Sequence, residues 1–287
     1  MSSPLRVRVL TREDLAFADS LRALAGWNQT IADWERFLAL EPEGCFLADW
    51  NGAPAGTATT TVYGLELAWI GMMLVHPAQR RRGVGRALLE RCIEYLRGRG
   101  VCCLKLDATP DGKKLYDGLG FKAEWTLTRW EHVGFDSPSA VTESRVKGWT
   151  DESVRRLEPL DSAAFGIPRQ RLVRALALQS RSALVLESEA DQIEAYGLLR
   201  NGSRALYLGP VVAGSADTAI RVIEALLAQG RGERVFWDIP DQNLAAVEWA
   251  RRHEFIPQRS LVRMVLGENR VQGDPRKQFA LAGPESG

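Results

Sequence analysis

The stretch from Ile70 to Leu96, IGMMLVHPAQRRRGVGRALLERCIEYL, admits few folds. An apolar strand runs into a basic turn with glycines at Gly83 and Gly85, and an amphipathic helix follows. Leu88, Cys92 and Leu96, flanked by Leu89 and Ile93, recur at helical spacing and form one buried stripe. A strand that enters a helix through such a turn gathers main-chain N–H groups at one point, and the helix dipole adds positive potential there. Glycine lets that main chain approach a phosphate with no side chain between. The element therefore reads as an anion site, with a pyrophosphate as the expected occupant.

Two common phosphate loops are excluded. No Gly-Lys-Ser/Thr occurs here, and no GxGxxG is followed by an acidic residue about 20 positions on. What stands is Arg80-Arg81-Arg82-Gly83-Val84-Gly85, with Arg86 beyond it. Downstream come the apolar run VCCLKL from Val101, then Asp107-Ala-Thr-Pro110, and KKLYDGLGF from Lys113 to Phe121. Gly120 suits the left-handed residue after a helix end, and Phe121 is placed to enter the core. This ordered set resembles the GNAT superfamily of acyl-CoA N-acyltransferases over about residues 5 to 135. The basic hexapeptide matches the family signature R/Q-x-x-G-x-G/A, and Tyr116 stands at the family's tyrosine position, four residues before Gly120.

Charge and cysteines narrow the partners. Lys plus Arg number 37 against 36 Asp plus Glu, so no global field draws the chain to nucleic acid. The basic cluster Arg80, Arg81, Arg82, Arg86 is local, as a small polyanionic cofactor requires. No apolar run reaches the roughly 18–20 residues of a membrane span, and MSSPLRVRVL lacks a signal-peptide core. Four cysteines without CxxC spacing and 3 histidines make a metal site unexpected. Cys92, Cys102 and Cys103 read as small core residues. A reducing cytoplasm is the simplest location.

The second half copies the first faintly. Strand LYLGPVV (206–212), helix 216–229, strand RVFWDI (234–239), a helix ending in Phe255 and strand 261–266 repeat the earlier order. Arg263 follows Phe255 by eight positions, as Arg129 follows Phe121, and Asp238 matches Asp107 near a strand end. The copy lacks the basic glycine turn, and Ala250 and Glu254 fall where Tyr116 and Gly120 stand. The expected fold is α/β, of α+β GNAT type: a mixed twisted sheet with flanking helices, in two tandem domains. The expected boundaries are a GNAT domain at 1–136, a linker at 137–150, a degenerate copy at 151–267 and a loosely ordered tail at 268–287. The arrangement resembles the YitH-like tandem subgroup. The second domain is expected not to bind coenzyme A productively, and to shape the acceptor pocket.

The resemblance implies acetyl-CoA as acyl donor and the amine of a small or amino-acid-like molecule as acceptor, with no metal. It places the thioester and pantetheine arm against Met73, Leu74 and Val75, and the pyrophosphate on amides from Arg81 through Arg86. It makes Tyr116 the general acid for the departing sulfur. Glu66 and Asp107 are alternative bases, each with a plain alternative as a solvated or merely orienting carboxylate; solvent deprotonation of the amine requires neither. Trp27 and Asn28 are candidates for the acceptor wall, Trp27 equally for a packing anchor. A second reading is a non-catalytic acyl-CoA sensor whose second half recognises a ligand. Aminoacyl transfer from tRNA is a further option that the near-neutral charge disfavours.

Overall fold

The computed structural model describes residues 4–135 and 145–287, and the chain folds as two compact units. Its elements run β1 (Leu5–Val9), α1 (Leu15–Leu24), α2 (Ile31–Leu40), β2 (Cys45–Trp50), β3 (Ala53–Val62), β4 (Leu67–Val75), α3 (Val84–Gly98), β5 (Cys103–Ala108), α4 (Pro110–Asp117) and β6 (Lys122–His132). There follow β7 (Val146–Gly148), α5 (Ser153–Arg156), α6 (Glu158–Phe165), α7 (Gln170–Leu178), β8 (Ser180–Glu187), β9 (Ile193–Arg200), β10 (Leu206–Ala213), α8 (Ala216–Ala228), β11 (Val235–Pro240), α9 (Leu244–Arg252), β12 (Ile256–Gly267) and β13 (Gln278–Ala280). The first unit comprises residues up to Ala123 with Met264–Arg270 and Ser286; the second takes Glu124–Arg263, Val271–Glu285 and Gly287. Compactness thus departs from chain order, because β6 is largely grouped with the second half.

In the first unit β1, β2, β3 and β4 pair antiparallel in sequence order, and β5 joins β4 in parallel. Strand polarity of this kind needs a crossover, and α3 supplies it. Of the stripe read from sequence, Leu88, Leu89, Cys92 and Leu96 are buried and Ile93 is half-buried, while Val84 joins the buried set. Each such leucine contributes about 1.5–3 kcal/mol by leaving water. The opposite sheet face carries α1 and α2, where Leu21, Trp34 and Phe37 pack on Cys45, Leu47, Met72 and Leu74. α2 starts at a capping box: Asp33 Oδ2 accepts from the Thr30 main-chain N–H at 2.6 Å.

In the second unit β8, β9 and β10 are antiparallel neighbours and β11 is parallel to β10, with β6 along the far edge of β11. α8 and α9 bury Val222, Ile223, Leu226 and Trp249 on one face. Leu157, Ala164 and Val173, from the segment of α5 to α7, pack with Val185, Tyr196 and Val212 on another cluster.

Three expectations need revision or restriction. The tail is not loose: Phe279 through Ala282 are buried, and β13 pairs with β10. The apolar tetrad Phe279-Ala-Leu-Ala282 outweighs the polar stretch before it. Of the expected linker, 137–144 lie outside the described residues, while Val146–Gly148 pair with β8. Cys102 is exposed, one residue before β5 begins, whereas Cys92 and Cys103 are buried.

Candidate active site

The parallel ladder between β4 and β5 is short. It pairs Leu67, Ala68 and Trp69 with Cys103, Leu104 and Lys105, and then stops although both strands run on. A bulge accompanies the parting: Thr59 pairs with Gly71 and Thr57 with Leu74, so Met72 and Met73 oppose the single residue Ala58. Met72 has φ of 47°, in the left-handed region, and is buried; Thr57 Oγ1 donates to its carbonyl at 3.0 Å. Backbone strain at a non-glycine residue is retained only where surroundings enforce it. Nothing in the local sequence signals it, since methionine is no turn former. Beyond Trp69, β4 offers Met73, Leu74 and Val75 along an edge that, among the described residues, no other strand of the first unit takes up.

The edge leads directly to the basic turn. His76 Nδ1 accepts from the Ala78 N–H, a short 3-10 turn follows, and then Arg81 and Gly83 adopt φ of 63° and 85°. Two left-handed residues so close turn successive N–H groups toward one side. No side chain caps α3, whose first main-chain bond is Ala87 N–H to Gly83 O. The amides of Val84, Gly85 and Arg86 therefore precede the helical ladder. A Cβ on Gly83 meets nothing within 4 Å, and one on Gly85 makes ordinary contacts with Leu115 and Val75 at 3.4 and 3.5 Å. Protein packing thus gives no reason for glycine at Gly85, the second residue of α3.

Around the turn, Arg82 lies over the Trp50 ring at 5.5 Å and Arg86 pairs loosely with Glu90 at 3.3 Å. Arg80 and Arg81 have no ion pair among the described residues.

Val75 and Leu115 flank Gly85, so the end of β4, the turn and α4 meet at one place. α4 begins at Thr109, whose Oγ1 accepts from the Gly112 N–H at 3.2 Å. It closes with Phe121 N–H bonding to Tyr116 O at 3.1 Å and Gly120 at φ of 91°. Tyr116 is buried, with its ring 6.0 Å from that of Phe121. Burial, with a lesser contribution from Cys92, pushes the phenol above its ordinary value of 10. Among the described residues its hydroxyl has no hydrogen-bond partner.

The other sequence candidates divide. Asp107 lies two residues past the last β4–β5 pair, at the parting. Glu66 is exposed and precedes β4, six positions before Met72 and so about 20 Å along the strand. It is not brought to this end. Asn28 is buried between α1 and α2, and Trp27 packs against the α1–α2 core.

The second unit repeats the construction. β10 and β11 pair only through Leu206–Leu208 with Val235–Trp237, and a bulge at Gly209-Pro210 opposes Leu198. Phe255 N–H bonds to Ala250 O at 2.9 Å, with Glu254 at φ of 60°. The parting, however, is filled. β13 pairs with β10 at Val211 and Val212, Leu281 N–H bonds to Asp238 O at 3.0 Å, and Trp237 Nε1 donates to Phe279 O at 2.8 Å. A Cβ on Gly209 would collide with Leu281 O. No basic turn precedes α8, whose first turn is capped by Ser215. Beneath the inserted chain, Arg129 forks onto Asp238 at 2.7 and 2.6 Å, with 2% and 0% of their side chains exposed. The Tyr207 hydroxyl joins Asp238 at 2.9 Å. Burial works to raise the Asp238 carboxyl, yet the Arg129 charge and hydrogen bonds hold it below the usual carboxylate range.

Family models match this chain twice. Residues 14–121 match the acetyltransferase (GNAT) family model, and residues 157–280 match an acetyltransferase (GNAT) domain model. The chain belongs to the GNAT acetyltransferases. It is 27% identical to an uncharacterised N-acetyltransferase, YitH of Bacillus subtilis, over 62% of this chain and 62% of that protein. It is 26% identical to the holothin acyltransferase of a Pseudoalteromonas species, over 91% of this chain and 87% of that protein. A putative acetyltransferase of Pyrococcus horikoshii superposes with a TM-score of 0.85 at 26% identity, covering 100% of this chain and 97% of that one. A tandem GNAT protein from the clavulanic acid biosynthesis pathway shares the fold at a TM-score of 0.65 and 16% identity, covering 92% of this chain and 98% of that one. As a GNAT protein, this chain keeps an open strand parting and an amide-lined turn in its first unit alone among the described residues.

Proposed function

We propose that the first unit transfers an acetyl group from acetyl-CoA to the amine of a small molecule. The observation that carries this reading is the free β4 edge at Met73–Val75 ending in the uncapped, glycine-bearing turn. The second unit supports it from within the same chain. There the corresponding edge is occupied by an extended main chain, which is the shape a pantetheine arm presents. The diphosphate would rest on amides from Arg81 through Arg86, in the field of Arg80 and Arg82. Asp107, at the parting, accepts or orients the acceptor ammonium; Glu66 has no part in this reading.

The amine nitrogen attacks the thioester carbon, whose oxygen takes negative charge against a β4 N–H. The carbon–sulfur bond then breaks, and Tyr116 gives its proton to the leaving thiolate. The attacking nitrogen, cationic in the tetrahedral adduct, loses its proton to Asp107 or to solvent as the amide forms, and the Tyr116 phenolate takes one proton back from solvent. The raised Tyr116 value fits an acid that is fully protonated at neutral pH. A small-molecule acceptor accords with the likeness, over 91% of this chain, to an enzyme named as a holothin acyltransferase.

Titration with acetyl-CoA followed by thiol-release assays over a panel of amines tests the reading. Binding with turnover on one or more amines is expected. Tight binding without turnover on any amine would favour the sensor instead, and no binding would end both.

A further inference from the structure

Among its described residues the second unit holds a cation with no hydrogen-bond or ion-pair partner. Arg259 lies on β12, on the side that two residues later carries Leu261 into a cluster with Leu127 and Leu281. Among the described residues it makes no hydrogen bond and no ion pair. Its Nε is sealed from solvent without an acceptor, while the residue as a whole is partly exposed, so the terminal nitrogens remain reachable. The neighbours that act on it are Arg129, Asp238, Tyr207 and Glu285. Asp238 is already committed to Arg129 and the Tyr207 hydroxyl. Arg200, the other cation against Tyr207, spends its Nε on Gly209 O at 3.0 Å and an Nη on Ala282 O. Burial, and then repulsion from Arg129, draw Arg259 down to about 10.

A guanidinium in this setting is costly to the empty protein and valuable to a bound anion. The charge around Tyr207 selects which anion. The charges that act there include two carboxyls, Asp238 and Glu285, beside the guanidiniums of Arg129 and Arg200. A monoanion enters such a setting against less repulsion than a phosphate dianion does. The guanidinium fork also matches the two oxygens of a carboxylate. We propose that Arg259 is a carboxylate-binding residue, and that the second unit takes a small molecule bearing a carboxylate through its terminal nitrogens.

The experiment uses the full chain without acetyl-CoA, so its outcome is independent of the acyltransfer reading. Thermal melting is followed against glutarate, acetate, inorganic phosphate and chloride at matched ionic strength, with the arginine Nε–Hε resonances as a second readout. Glutarate and acetate are expected to raise the midpoint saturably and to shift one Nε–Hε signal that is missing in Arg259→Met. In Arg259→Met the dissociation constant rises at least about tenfold, and the ligand-free variant melts at or above the wild type because an unmatched charge is gone. Arg259→Lys retains a weakened response. Equal responses of wild type and Arg259→Met, chloride as effective as carboxylate, or phosphate preferred to carboxylate would each overturn the proposal. So would an Arg259→Met chain that melts far below the wild type, which would make the guanidinium a structural group.

Discussion

Replacing Tyr116 by phenylalanine removes one oxygen and leaves the ring where it packs on Phe121, 6.0 Å between centroids. The hydroxyl has no hydrogen-bond partner among the described residues, so the substitution breaks no bond within the fold. Folding stability should then change by less than about 1 kcal/mol, in either direction. Catalysis should not be spared. Loss of a positioned general acid lowers turnover by about 10²-fold, equivalent to about 2.7 kcal/mol in the barrier. The two numbers separate a chemical role from a packing role. Urea unfolding gives the first, and release of free thiol from acetyl-CoA at saturating amine gives the second. A fall in turnover of less than about threefold would refute the acid role. An unfolding free energy lower by more than about 2 kcal/mol would refute the reading that the hydroxyl is unbonded in the folded chain. The raised phenol value adds a pH signature: no alkaline loss of rate from this group below pH 10.

Other outcomes follow from the same geometry. Gly83→Ala forces a Cβ onto φ of 85° with nothing nearby to clash, so it should cost about 1 kcal/mol and raise the KM for acetyl-CoA, measured beside an unchanged acceptor KM. Calorimetric titration should find one acetyl-CoA per chain, because the second unit's parting is filled by its own residues. Asp238→Ala strands the buried Arg129 charge and should lower the unfolding free energy by about 3–5 kcal/mol in urea titration. Asp14 is held at about 2, below 3.8, first by hydrogen bonds from Arg8 against opposing burial and then by the Thr11 N–H. A folded value below the unfolded one stabilises above pH 3.8, and that share is lost as pH falls toward 2. Asp14→Asn should flatten stability over that window.

Legibility in the sequence followed the range of the cause. The α3 stripe and the cap joining Tyr116 to Phe121 are local matters of period and turn chemistry and stand where the residues implied, whereas the matching cap from Ala250 to Phe255 forms on Glu254, a residue that carries no such signal. The site's skeleton of strand, basic turn and helix was equally readable. The bulge at Met72–Met73 was not, since it depends on how β3 and β4 register over the whole strand pair. Nor was the burial of 279–282, whose short apolar run carries no period and gains its partners only from β10 and β11. The separation of Glu66 from Asp107 is a register effect too: both precede or end apolar strands, but parallel strands set them at different heights.

The filled parting of the second unit changes the molecularity of its recognition. A tethered strand such as Gln278–Ala282 is present at an effective concentration in the millimolar range, whatever the protein concentration. A free acyl donor at micromolar levels would have to displace it main-chain bond for main-chain bond, losing Trp237 to Phe279 and Leu281 to Asp238 before gaining anything. On the proposed reading, one fold used twice presents a bimolecular cleft and an intramolecular one, and only the former is titrated by the supply of donor.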